Sequence, residues 1–147
     1  MKAAFLLGRL VFGGFFLYNG IHHFQERKSL AQYSAAKNVP FPDIAVAATG
    51  ALLIAGSTSV LLGVKPKWGT LAIMTFLGGI SPIMHDFWRL DDPSERFNQQ
   101  VNFTKNMALL GAALALMGVE EPWPVSVPIG QPTTLQRISR FAREVAA

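Results

Sequence analysis

The sequence contains no cysteine. That absence removes disulfide frameworks, thiol redox chemistry, iron–sulfur ligation and thiolate zinc sites. Charge is scarce as well. Charged residues make up 15% of the chain, where an ordinary soluble domain carries about 25%. Histidine occurs three times and tyrosine twice, so a polar cluster that uses them stands out. No nucleic-acid-binding motif is present, and the net charge of +4 fits basic loops that meet anionic lipid head groups.

Apolar residues are what the chain has in quantity. Half of it is hydrophobic and the mean hydropathy is +0.30. Four apolar stretches run over 3–21, 44–64, 68–84 and 103–119, each close to the ~20 residues a helix needs to cross a bilayer core. Helices apolar on all sides belong to membranes or to large cores, and a chain this short cannot bury four of them. The expected fold is all-α: an integral membrane four-helix bundle, up-down-up-down, over 1–119. A proline-rich linker is expected over 120–132 and a basic amphipathic tail helix over 133–147. In the tail, Leu135, Ile138 and Phe141 share one face and Arg137, Arg140 and Arg143 another, which suits the membrane surface or the docking of a partner subunit. The opening run has the start of a signal peptide, but its length and Arg9 make it read as a retained first helix.

The connections differ in length. Val64-Lys65-Pro66-Lys67 is a minimal turn, while the first and third connections are longer and fall at one face of the expected bundle. The first contains a predicted interfacial helix over 29–38, with Leu30 and Tyr33 on one side. Asp43 is predicted to cap the helix that follows. Thr49, Gly56, Ser59 and Gly63 form a small-residue stripe suited to close helix packing.

Alternating helices gather His22, His23, Asp43, His85, Asp86, Asn102, Lys105 and Asn106 at that same face. Ionisable groups at membrane depth are costly and rarely idle. The candidate ligand-binding set is Arg9, His23, His85, Asp86, Lys105 and Asn106. Arg9 shares a helical face with Gly13, Phe16, Gly20 and His23, so it is predicted to turn inward and to meet a carboxylate, a carbonyl or an anionic ligand. Lys105 is predicted to pair with Asp86 or Glu26. His22 and His23 diverge by about 100° on a helix, and no regular ligand spacing is present, so neither metal nor haem is expected, and no catalytic residue is assigned.

Three segments carry a resemblance: Gly8-Arg9-Leu10 with Asn19-Gly20-Ile21-His22-His23-Phe24, then Pro82-Ile83-Met84-His85-Asp86-Phe87-Trp88, and Asp92-Pro93 followed by 103–111 with Lys105-Asn106. Together they resemble the DoxX-like family of small four-helix bacterial membrane proteins, over about residues 3–118. The resemblance implies a multi-pass protein of the bacterial inner membrane. The family name derives from a subunit associated with quinol oxidation, and relatives are linked to thiosulfate–quinone chemistry and membrane redox complexes. The missing cysteines argue against sulfur chemistry in this chain. The expected role is an accessory or structural subunit of a larger respiratory or electron-transfer complex, without catalytic activity of its own. The rival is a quinone- or lipid-binding component using the polar face. Lipid and other membrane subunits are the expected partners, with no nucleic acid. Basic residues tie at six on each side, and Lys2 and Arg9 tip the termini toward the cytoplasm.

Overall fold

The first helix, α1 (Lys2–Gln25), is apolar along nearly its whole length and buries one stripe, Arg9, Phe12, Gly13, Phe16 and Gly20. The computed structural model describes residues 2–128 and 143. Most of these are helical, with no strand among the described residues. Helix α2 (Arg27–Ala36) follows almost without a break, at the place expected of an interfacial helix. It lies against α3 (Pro42–Leu62). Helix α4 (Pro66–Met84) follows a short turn, and a three-residue 3-10 turn (Phe87–Arg89) leads to α5 (Pro93–Met117).

Local chemistry sets the helix ends. Pro42, Pro66 and Pro93 each stand at the start of a helix, where a missing N–H costs nothing. Asp92 caps α5, its carboxylate accepting from Glu95 N at 2.8 Å. Asp43 does not cap α3. The cap is Phe41, held at φ 49°; Pro42 already occupies the first helical position, so Asp43 falls inside the first turn. There its charge meets the positive helix end and Arg27 at 3.5 Å. At the far end of α3, Gly63 takes the left-handed conformation (φ 68°) that ends many helices.

Helix α1 packs on α3, α3 on α4, and α4 on α5, whereas α1 and α5 have no comparable backbone packing. Small residues make the close approaches. A Cβ on Gly20 would lie 2.9 Å from Ile54 N, and one on Gly69 would lie 2.5 Å from Gly56 O. Of the small-residue stripe read from α3, Gly56 thus serves close packing onto α4. Phe12, Phe16, Leu53, Val60, Ile73, Leu77 and Ala113 fill the space between the helices.

Helices α1 and α3 are each long and apolar enough to cross a membrane. Only 28% and 33% of their apolar windows are buried within the chain, so most of that surface needs an apolar surrounding rather than water. Helices α4 and α5 stand where spans were expected but fall short of that hydropathy. Pro66, Lys67 and Pro82 dilute α4. Asp92 and Pro93 start α5 ten residues before 103, and this adds a polar stretch containing Asn98, Gln99 and Gln100.

The proline spacing after α5 predicts an extended linker, yet its first part is packed. Trp123 is 2% exposed and meets Phe5 edge-on, with ring centroids 5.4 Å apart. Val127 N donates to Leu62 O at 2.9 Å. Residues 120–128 therefore close the end of the helical array formed by the start of α1 and the end of α3. The expected tail helix over 133–147 and the rest of the linker lie outside the described residues, apart from Arg143.

Candidate functional site

The opposite end holds a cavity of about 250 Å³ to which all five helices contribute. Helix α1 supplies Phe15, Phe16, Asn19 and His23, α2 supplies Tyr33, α3 Thr49, α4 Phe76 and Leu77, and α5 Asn106, with His85 at the end of α4. The walls are mainly apolar and aromatic, and a few polar groups converge on them, as in small-molecule sites generally. The volume exceeds that of a ~150 Å³ cavity able to hold benzene and lies under the 300–1,000 Å³ usual for drug-sized ligands. It suits a single substituted ring.

Both histidines in the wall are held by the same nitrogen. His23 Nδ1 lies 2.7 Å from Asn19 O. A backbone carbonyl only accepts, so Nδ1 carries the proton. The ring sits edge-on to Phe76, with centroids 5.8 Å apart. His85 Nδ1 donates to Gln99 Oε1 at 2.8 Å. Gln99 Nε2 donates to the Tyr33 hydroxyl at 3.3 Å, and Tyr33 donates to Met84 O at 3.3 Å. That chain of bonds fixes the His85 ring and ties α2 and α5 to the end of α4. Neither Nε2 has a hydrogen-bond partner among the described residues. In the neutral rings each Nε2 is a free acceptor.

Asp86 follows His85 but faces a different task. Lys37 Nζ contacts its Oδ1 at 2.5 Å, with both side chains about 15% exposed. That hydrogen bond holds the Asp86 carboxyl below the usual carboxylate range, against a smaller opposing effect of burial. The pair anchors the end of α2 over the cavity. His22 stacks on Tyr18 one turn earlier, with rings 5.9 Å apart and 13° from parallel.

Of the sequence-derived set, the cavity brings together His23, His85 and Asn106. Asp86 lies beside it. Lys105 is exposed and makes no ion pair among the described residues. The expected pairing with Asp86 or Glu26 is corrected: Lys37 holds Asp86, and Lys105 sits six residues beyond Gln99, about 9 Å farther along α5. Lys105 lines a second, adjoining cavity between α1 and α5.

Arg9 is at the other end altogether. It does turn inward, being 2% exposed, and it does meet carbonyls. Its Nη1 donates to Pro124 O at 2.8 Å and its Nη2 to Val125 O at 3.0 Å. Those partners belong to the segment that closes the array, not to the cavity. Sharing a helical face with His23 says nothing about depth, and fourteen residues separate the two by about 21 Å along the axis. The expectation that Arg9 and His23 serve one site fails for that reason. Its Nε has no partner among the described residues.

Tyr33, Gln99, Asn19 and Thr49 were not singled out as site residues. Tyr33 had a signal, since it was placed on one side of the interfacial helix in a chain with two tyrosines. Gln99 had none, because the apolar pattern begins only at 103.

A family model described as DoxX matches residues 4–86, more than half of the 147 residues. No curated protein and no solved structure matches the chain. The match runs from α1 through α4 to Asp86, and so takes in His23, Tyr33 and His85 while stopping short of α5. With two apolar helices that leave most of their surface uncovered inside the matched region, the chain belongs to the DoxX family and is a membrane protein.

Proposed function

We propose that this protein is a multi-pass subunit of the bacterial inner membrane that binds a quinol-like ring at the polar end of an up-down-up-down four-helix bundle. One observation carries the reading: a single-ring cavity whose wall holds two histidines with Nδ1 already committed to carbonyl oxygens. Two free Nε2 acceptors suit a ligand that presents hydroxyl donors, and each can take a proton near the membrane face. The apolar, aromatic walls suit the ring itself. The chain has no cysteine, so no thiol pair of its own can take electrons from such a ligand. This favours work within a larger electron-transfer complex, with ligand binding and proton acceptance as this chain's share. Termini on the cytoplasmic side accord with the placement of Lys2 and Arg9.

Calorimetric titration of the detergent-purified protein with a reduced hydroquinone tests the reading. Saturable binding is expected, weakened at least about tenfold in the His23→Ala/His85→Ala double variant, the loss of roughly one good hydrogen bond. Absence of saturable binding, or binding unchanged in the double variant, defeats it.

A further inference from the structure

The ring cavity does not end at its own wall. A second cavity of about 480 Å³ lies on the α1–α5 side, and Phe15, His85 and Asn106 line both. The second cavity exists because α1 and α5 lack the backbone packing that joins the other neighbouring helices. Phe12 and Phe16 of α1 and Ala113 of α5 belong to one buried cluster with residues of α3 and α4. Phe15 stands at the seam. It is 48% exposed, and its ring meets the buried Phe16 edge-on at 5.1 Å.

The groove is graded along α5. Asn102 and Lys105 form its polar part, and Ala108 and Leu109 its apolar part. The step from Asn102 to Leu109 is seven residues, about 10 Å along the helix. It runs away from the polar end where Gln99 meets His85, toward the apolar half of the protein. A ligand leaving the ring cavity past Phe15 and Asn106 therefore meets increasingly apolar surface. An amphiphile with a hydrocarbon chain fits that gradient, and a compact polar solute does not.

We propose that the two cavities form one site for a single amphiphile, with its ring in the inner cavity, its hydrocarbon chain in the α1–α5 groove, and Phe15 at the turn between them. This rests on the ring-binding reading above. It adds that the ligand is chain-bearing and that its passage is lateral, from the lipid side. Ala108 becomes a specificity-determining position, since it is exposed and touches only the chain.

The test uses two reduced probes, a methylated hydroquinone and its decyl derivative, against wild type and Ala108→Trp. The substitution fills the groove and leaves the ring cavity alone. It should weaken the decyl probe about tenfold, as expected when several methylenes lose their contact, and leave the chainless probe unchanged. Equal effects on both probes, or on neither, overturn the inference. Failure of the wild type to bind either probe removes the ring-binding reading, and this inference with it, by a distinct result. A decyl probe carrying a terminal photoreactive group gives a check that needs no substitution. Labelling on α5 near Ala108 and Leu109 or on the α1 surface beside Phe15 supports the groove, and labelling confined to α2, α3 or α4 overturns it.

Discussion

The two ends of this protein handle polar groups in opposite ways. At one end Arg9 is buried with its guanidinium on two backbone carbonyls of the 120–128 segment. Its partners come from the chain itself, and the end is closed. At the other end His23 and His85 are each held by one nitrogen, and the second nitrogen is left without a partner among the described residues. Polar groups whose charged end is held by the fold, as both Nη atoms of Arg9 are, contribute to stability. Polar groups held in place but left half-satisfied are available to a ligand. Substitutions of groups the fold satisfies, Arg9 and Trp123 at the closed end and Asp86 at the open one, should therefore change stability, and those of His23 and His85 should change binding.

The largest expected effect is at Trp123. Its replacement by Ala removes the ring that Phe5 packs against and should cost about 3 kcal/mol, the low end for a buried aromatic. Thermal unfolding in detergent measures it, while hydroquinone affinity should stay within twofold, a difference too small to signal a lost contact. A variant as stable as wild type would show that the closed end is not closed by this residue.

Arg9→Met comes next. It removes two part-buried hydrogen bonds from a charged donor to the Pro124 and Val125 carbonyls, at about 1.5–3 kcal/mol. Limited proteolysis should then cut within 118–128 faster than in the wild type. Unchanged cleavage would mean that the guanidinium does not hold that segment.

At the open end, Asp86 gives a pH-dependent effect. Its carboxyl is held below the ordinary range chiefly by the hydrogen bond from Lys37. A lowered folded value adds stability that is fully present above the ordinary carboxylate range and lost as pH falls through the lowered value. The α2 anchor should thus be intact at neutral pH and loosen only in acid. Asp86→Asn should lower stability at pH 7 by about 1 kcal/mol, since the pair is partly exposed, and flatten the acid dependence. An unaltered acid limb in the variant would assign that limb to other carboxylates.

Lys105→Met carries the smallest effect. With no ion pair to lose among the described residues, it should move unfolding by less than about 0.5 kcal/mol, the usual range for a surface change. A large loss would show that Lys105 has a carboxylate partner after all.

Periodicity and hydropathy made much of this legible. Apolar runs located the four long helices, and the polar breaks located α2 and the connections. The breaks before α3 and α4 were legible too, since Pro42 and Pro66 cannot continue a preceding helix. His23, His85 and Asn106 were legible as neighbours because alternating helices return to one face. The start of α5 was not, since nothing in hydropathy distinguishes a polar helical extension from a loop, and Gln99 was missed with it.

What the sequence determined by itself is the helical content, the apolar character and the family, because these depend on local pattern over one helix at a time. Partners were decided only in three dimensions. Lys37, not Lys105, reaches Asp86, and the carbonyls of 124 and 125, not a ligand, receive Arg9. A helical face is set every 3.6 residues, but depth along the axis and the path of the returning chain are set by packing between helices. Those two quantities decide which polar groups the fold satisfies and which it leaves free.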